Sequence, residues 1–247
     1  MQIRSYGKFN LTLKVSRKSR LKKMHRIQSI IFPYKLEYDM VEVLSYQGQQ
    51  TIFTCNRKEL DWKNNTVLDA YHKFVMMFPK FKAVPLHINL IKKTTIGSGL
   101  GYSASNAVAL IKIICNFFKI NYHSKKIKKL IKSLSSDALF FYLEKPAIIS
   151  GYGNKITYLT PNQIKKYEIA NLKVIDSKIS SITKDVYQEF DYNYQYYKTK
   201  KNINIYYNML QQPAFKINPK LKKFYLALKK EHQNVMLSGS GGAFLVW

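Results

Sequence analysis

The chain has 247 residues, with 41 Lys plus Arg against 14 Asp plus Glu, a formal charge of +27 at pH 7. Its hydrophobic fraction of 46% is enough to bury the core of one large domain or two small ones, which excludes a mostly disordered chain. Two cysteines, Cys55 and Cys115, exclude a disulfide-dense scaffold and form no CxxC pair, so both read as reduced thiols of a cytoplasmic protein.

The first 15 residues alternate polar and apolar, without the apolar h-region of a signal peptide. Phe9, Leu11, Leu13 and Val15 predict a half-buried strand with Asn10, Thr12 and Lys14 on its other face. A basic loop is expected from Ser16 to Lys23, then two strands, Ile27 to Phe32 and Tyr38 to Leu44. Gly48 marks a polar turn before a strand at Thr51 to Thr54. Val67, Leu68, Tyr71, Phe74, Val75 and Phe78 fall at helical spacing, and Leu86, Ile88 and Leu90 alternate as a strand.

The Gly-patterned segment GSGLGYSASNAVAL follows, opening into an apolar helix that runs to about Phe118. Ile127, Leu130, Ile131 and Leu134 predict an amphipathic helix with an outer face of Lys. Ala147 to Ile149 read as a strand ending at Gly151 and Gly153. The polar stretch from Thr160 to Lys201 carries no clear period. Leu221, Phe224, Tyr225 and Leu228 mark a late helix, and VMLSGSGGAFLVW reads as strand, Gly turn, strand. No run approaches the ~20 apolar residues of a membrane span. Strands and helices mixed in this order indicate an α+β or α/β protein.

The glycine segment carries the chemistry. Gly97, Gly99 and Gly101 allow close backbone approach and positive φ, and the following helix start offers N–H groups and a positive dipole end to an anion. Ser98, Ser103 and Ser105 add hydroxyls for phosphate oxygens or a Mg²⁺ shell. No GK[ST] closes the loop, so it is not a Walker A loop, and it lacks the third glycine of a dinucleotide fingerprint. Taken alone the segment reads equally as a phosphate cradle or as a tight turn with close helix–strand packing.

Further segments in order resemble the GHMP small-molecule kinases, in particular those acting on a cytidine-diphosphate-linked polyol. YGKFNLTLKV resembles the family's A-K-L-N-L-x-L strand, MHRIQSIIF its Y-H-x-L-Q-T-L-F element, and GSGLGYSASNA its G-G-G-L-G-G-G-S-S-N-A loop. SSDALFF resembles G-A-D-V-P-F, and SGYGNKI a G-x-G-E-x-I turn. SSITKDVY resembles a segment that brings an aromatic to the substrate, NMLQQPAFKINPKL the N-D-L-E-x-x-A region, and LSGSGGAFLVW the S-G-S-G-A-C-x-F-A motif.

The resemblance implies a two-domain α+β fold. Residues 1–157 would form an N-terminal ribosomal-protein-like α/β domain with the phosphate loop. Residues 158–247 would form a smaller α+β domain that closes on substrate and is shortened at its end, leaving a sheet edge or helix face uncovered. It implies transfer of the γ-phosphoryl group of ATP, with Mg²⁺, to an alcohol. Asp137 would be the base and Lys8 the cation that holds it ionised. Gly97, Ser98, Gly99, Leu100, Gly101, Tyr102, Ser103, Ala104, Ser105 and Asn106 would hold ATP, with Ser103 or Ser105 near Mg²⁺. Asn10, His25, Tyr187, Gly239, Ser240 and Gly241 would take the substrate.

Met24 stands where the family has a Tyr, Tyr102 and Ala104 where Gly and Ser are usual, Thr95 where it has Pro, and Asn154 where it has Glu. Each candidate also has a plainer reading: Asp137 as a helix cap, Lys8 as a surface lysine, Tyr187 as one of 19 Tyr. The other readings are a kinase for mevalonate, phosphomevalonate or homoserine, a nucleotide-binding relative without activity, and a basic RNA-binding protein. Against the last, only five of the 41 basic residues are Arg, the residue suited to bidentate phosphate and guanine recognition. The chain is therefore expected to act as a monomer or weak homodimer with no nucleic-acid or membrane partner.

Overall fold

The structure, a computed structural model, describes residues 1–19, 24–60, 65–167, 169–198 and 206–247. In chain order the elements are β1 (Gln2–Lys18), β2 (His25–Ser45), β3 (Ile52–Cys55), α1 (Thr66–Met77), β4 (Leu86–Ile91), α2 (Tyr102–Phe117), α3 (Lys125–Lys132) and α4 (Ala138–Phe141). Then come β5 (Ala147–Gly151), β6 (Lys155–Tyr158), α5 (Pro161–Lys165), β7 (Lys173–Asp176), α6 (Thr183–Tyr192), α7 (Tyr194–Tyr197), β8 (Tyr207–Asn208), α8 (Gln211–Ile217), α9 (Pro219–Glu231), β9 (Val235–Leu237) and β10 (Ala243–Val246).

This is an α+β fold with two compact units, each assembled from separate stretches of chain. One comprises Met1–Gly7, Lys35–Thr94 and Gly101–Leu143; the other comprises Lys8–Tyr34, Thr95–Leu100 and Glu144–Trp247. Residues 8–34, 95–100 and 144–157 thus cluster with the C-terminal part of the chain, because β1 and β2 are long enough to belong to both units.

In the first unit β4 pairs antiparallel with the C-terminal half of β2 (Met40↔Ile91 to Ser45↔Leu86) and parallel with β3. Leu86, Ile88 and Leu90 are buried, as their alternation predicts. α1 begins at Asn65, whose side chain accepts from the amides of Val67 and Leu68, and it buries Val67, Leu68, Tyr71 and Phe74. α1 packs on α2, and α4 packs on both α2 and α3. α2 is buried nearly all round, whereas α3 buries Ile127, Leu130 and Ile131 and turns its lysines outward.

A buried polar cluster ties these elements together. Asp39 on β2 is 0% exposed and Lys92, just past β4, is 5% exposed. One Asp39 oxygen accepts from the Lys93 and Thr94 amides (2.9 and 3.0 Å) and from Thr94 Oγ1 (2.9 Å). The other accepts from Lys92 Nζ (2.5 Å) and from Asn106 Nδ2 on α2 (3.0 Å). Burial pushes the Asp39 carboxyl up, but the Lys92 charge and these hydrogen bonds outweigh it and hold the carboxyl below its ordinary value. For Lys92 the balance falls the other way: burial pushes the ammonium down and Asp39 offsets this only in part.

In the second unit the N-terminal part of β2 pairs antiparallel with β5 (Ile27↔Gly151 to Ile31↔Ala147), β5 forms a hairpin with β6, and β1 pairs parallel with β8. The hairpin turns through Gly151 and Gly153, both at positive φ, and Asn154 closes it by accepting from the Tyr152 amide at 3.0 Å. A separate three-stranded antiparallel sheet runs β7-β10-β9. Its core holds Val186, Phe190, Phe215, Leu221, Leu228 and Phe244. β10 is the central strand of this sheet and is buried.

Three sequence expectations change. The two strands Ile27–Phe32 and Tyr38–Leu44 are one strand, β2. Pro33 lies between its β5-paired and β4-paired stretches, so its missing N–H is asked for by neither of those two ladders, while β2 pairs with β1 as well. The basic loop starts later, since β1 runs to Lys18; its residues 20–23 lie outside the described ones. The stretch from Thr160 holds α5, β7, α6 and α7, with only Val186 and Phe190 of α6 buried, too few to show a period. Both cysteines are free thiols, and burial pushes Cys115 up to about 12, which leaves it unreactive at neutral pH. Among the described residues no helix is long and apolar enough to cross a membrane.

Lys92→Met leaves the Asp39 carboxylate buried without its counter-ion. The expected loss is about 3–5 kcal/mol of stability, read by urea unfolding. The folded Asp39 carboxyl titrates below its ordinary 3.8. Its contribution is therefore full above that value and lost as pH falls through the folded one, and Asp39→Asn should flatten the acid limb of the stability curve.

Candidate functional site

In the second unit two glycine loops lock together, and β1 runs past them. Gly97 and Gly99 have φ of +75° and +81°, open to glycine and strained for other residues. A Cβ on Gly99 would stand 2.6 Å from both the Gly241 amide nitrogen and the Ser238 carbonyl oxygen, and a Cβ on Gly241 would fall on the Gly99 backbone. Backbone bonds seal the contact: the Gly242 and Ser181 amides donate to Gly97 O (3.2 and 3.3 Å), and the Ala243 amide donates to Ser98 O (2.8 Å). The sequence patterns of the two loops are separate, but their glycines answer one requirement, backbone lying on backbone.

Lys8 and Asn10 reach this junction from β1. Alternation predicts Asn10 on the open face of a half-buried strand; instead Lys8 is 4% exposed and Asn10 is 6% exposed. Lys8 Nζ donates to Asn10 Oδ1 (2.6 Å) and to Gly99 O (3.0 Å), and the Lys8 amide donates to Leu100 O (2.7 Å). Asn10 Nδ2 donates to Ser29 Oγ (2.7 Å), which in turn donates to Thr12 O (2.5 Å). The Asn10 amide donates to Ser238 Oγ at 3.2 Å. Lys8 is therefore not a surface lysine: it is a buried cation against the Gly99 carbonyl, with its amide partner fixed through Ser29.

The second loop, Ser238 to Gly242, is held by residues to which the motifs assign no role. Asn208 Nδ2 on β8 donates to Leu237 O (2.8 Å) and Gly239 O (2.6 Å), while its Oδ1 accepts from the Leu210 amide (2.9 Å). Ser181 Oγ donates to Ser240 O (2.8 Å), and Thr183 Oγ1 lies 2.9 Å from Ser240 Oγ. Asn208 heads the NMLQQP segment and Ser181 and Thr183 lie in SSITKDVY, so all three fall within motifs that do not name their partners.

His25 and Tyr187 also meet in this unit. Their ring centroids are 4.8 Å apart with planes tilted by 46°. His25 Nε2 lies 2.6 Å from Asp191 Oδ1.

The remaining candidates lie in the first unit. Gly101 is the N-cap of α2 at φ +77° and makes no side-chain cap. Of the hydroxyls after it, Ser103 is exposed, whereas Ser105 is buried and accepts from Ser5 Oγ at 2.7 Å. Tyr102 is buried with Lys92 Nζ 4.9 Å from its ring centre, Ala104 is buried, and Asn106 Nδ2 is held by Asp39. Asp137 sits at the N-cap of α4 with helical φ and ψ and makes no side-chain cap, which removes the plain capping role. Among the described residues no group of three or more His, Cys, Asp or Glu is placed to hold a metal ion.

Residues 65–145 match the GHMP kinases N terminal domain. The chain is 29% identical to the 4-diphosphocytidyl-2-C-methyl-D-erythritol kinase of Ureaplasma parvum over 99% of its own length and 94% of that protein. It is 27% identical to the enzyme of the same name from Petrotoga mobilis, over 98% and 96%. Among solved structures, a 4-(cytidine 5'-diphospho)-2C-methyl-D-erythritol kinase shares the fold with a TM-score of 0.71 at 20% identity, covering all of this chain and 89% of that one.

Gly241→Ala must push the two loops apart. The expected cost is about 1–3 kcal/mol, the usual range for overpacking, seen as a fall in Tm by calorimetry. An unchanged Tm would mean that the loops do not bear on each other.

Proposed function

We propose that this GHMP-type kinase transfers the γ-phosphoryl group of ATP to the 2-hydroxyl of 4-diphosphocytidyl-2-C-methyl-D-erythritol, an isoprenoid precursor step in the cytoplasm. The observation that carries this reading is the buried Lys8 ammonium, held by Asn10 and the Gly99 carbonyl where the two glycine loops interlock. A cation fixed against a glycine loop is what phosphoryl transfer needs, since charge neutralisation and positioning do most of the catalysis.

The fit to ATP rests on chain geometry. Gly97 and Gly99 keep the loop backbone bare of side chains, and α2 starts at a glycine without a side-chain cap, which leaves first-turn N–H groups for phosphate oxygens. The exposed Ser103 hydroxyl suits Mg²⁺ better than Ser105, whose oxygen is already engaged by Ser5. When bound, Mg²⁺ would supply further neutralisation across the phosphates.

In this reading Asp137 accepts the hydroxyl proton, Lys8 stabilises charge on the transferred group, and Asn10 orients the hydroxyl. His25 and Tyr187 take the cytosine, and Gly239, Ser240 and Gly241 take the substrate diphosphate. Residues 1–157 carry the nucleotide loop and residues 158–247 the second glycine loop. The enzyme acts as a monomer or weak homodimer and needs no nucleic-acid partner.

The test is ADP release with ATP, Mg²⁺ and the cytidyl substrate, run beside mevalonate and homoserine. The cytidyl compound alone should turn over, and Asp137→Asn should lower kcat by about 10²–10⁴, the range for a general base, at unchanged Tm. Turnover of mevalonate or homoserine instead, or an unaffected Asp137→Asn variant, would overturn the reading.

A further inference from the structure

α6 presents three side chains to His25. Val186 and Phe190 point its apolar side into the core of the second unit. Tyr187 and Asp191, four residues apart and so one turn apart on a single face, meet the imidazole. The Tyr187 ring lies at 4.8 Å and the Phe190 ring, edge-on, at 6.1 Å. Asp191 Oδ1 lies 2.6 Å from Nε2, with the His25 side chain 10% exposed and that of Asp191 27% exposed.

An ionised carboxylate only accepts, so the hydrogen of this short bond is carried by Nε2. In the neutral ring the other nitrogen, Nδ1, then bears a lone pair. Two aromatic contacts and one short hydrogen bond leave the ring little freedom to turn.

We infer that Asp191 is a positioning and specificity-determining residue: it holds His25 as the Nε2–H tautomer, so that Nδ1 offers a fixed acceptor to the exocyclic amino group of a cytosine base. The inference rests on the proposed role of His25 in taking the substrate's base. A fixed acceptor pairs with an amino group and opposes a carbonyl, so uracil, which differs from cytosine at that position, is rejected. Met24 has no ring to add a stacking surface, so a larger share of base recognition falls on this hydrogen bond. Neither Asp191 nor its spacing from Tyr187 belongs to the resemblance read from the sequence, and the pair becomes legible only once α6 lies beside the start of β2.

The test uses the full chain as wild type, Asp191→Asn and Asp191→Ala. Imidazole ¹⁵N spectra, with the His25 signal assigned through His25→Gln, should show the Nε2–H tautomer in wild type and a mixed one in Asp191→Ala. Titration with cytidine 5′-diphosphate and uridine 5′-diphosphate, with ADP saturating the nucleotide loop, should show a cytidine preference. That preference should fall by about tenfold or more in Asp191→Ala, as when a hydrogen bond that selects a ligand is lost. Asp191→Asn, which keeps an acceptor oxygen, should recover part of it. In turnover the effect should fall on KM for the cytidyl substrate more than on kcat, with KM for ATP unchanged.

An Nδ1–H tautomer in wild type, or an unchanged cytidine preference in Asp191→Ala, overturns the inference even if the cytidyl substrate is phosphorylated. A cytidine preference that depends on Asp191 in a protein without turnover supports the inference and sinks the proposed reaction instead. Loss of both signals leaves neither standing.

Discussion

Backbone lying on backbone is the constraint around which the second unit is built. Between the loop at Gly97–Leu100 and the loop at Ser238–Gly242 there is no room for a Cβ at Gly99 or Gly241. Packing this close brings main-chain donors and acceptors face to face, and they pair: Gly242 and Ser181 with Gly97, Ala243 with Ser98. Three segments far apart in the chain thus form one junction. The loop carbonyls left inside the junction need donors, because a buried polar group without a partner costs about 1–3 kcal/mol. Lys8 answers for Gly99, and Asn208 answers for Leu237 and Gly239.

The same bonds give Lys8 its chemical character. A lysine in water is one mobile point charge among many, and this chain has an excess of them. Lys8 differs because its ammonium is buried, and the oxygens of Asn10 and Gly99 fix its position. Asn10 is oriented in turn by Ser29, and Ser29 by the Thr12 carbonyl. In the proposed reaction a charge preorganised in this way would not need to reorganise as charge develops on the phosphoryl group. The Asp39 cluster has a comparable architecture in the first unit, where one carboxylate gathers the end of β4 and the second turn of α2. It also gives the Asn106 Nδ2 group its partner within the first unit.

Much of this was legible in the residues. Alternation located the buried face of β4, helical spacing the buried face of α1, and the lysine pattern the outer face of α3. The glycine runs marked both loops, and the ordered motifs resemble those of the GHMP kinases. Harder to read were segments whose burial is irregular. α6 buries only Val186 and Phe190, so its period is faint in a stretch rich in Tyr and Lys. β2 is continuous through Pro33, with its β5-paired stretch before that residue, its β4-paired stretch after it and β1 as a third partner, a fact no local pattern carries.

The sequence by itself determined the buried faces of β4, α1 and α3, the two glycine loops and the start of α2, since each depends on local geometry: side-chain period, positive φ, helix starts. Only the tertiary structure decided which residues meet. It buried Lys8 and Asn10 on a strand face that alternation leaves open to solvent, joined Gly99 to Gly241, assigned Asn106 to Asp39, and set Asp191 against His25. These are contacts between residues far apart in the chain. Their partners are chosen by how sheets and helices pack, and that information is spread over the whole sequence rather than written beside either residue.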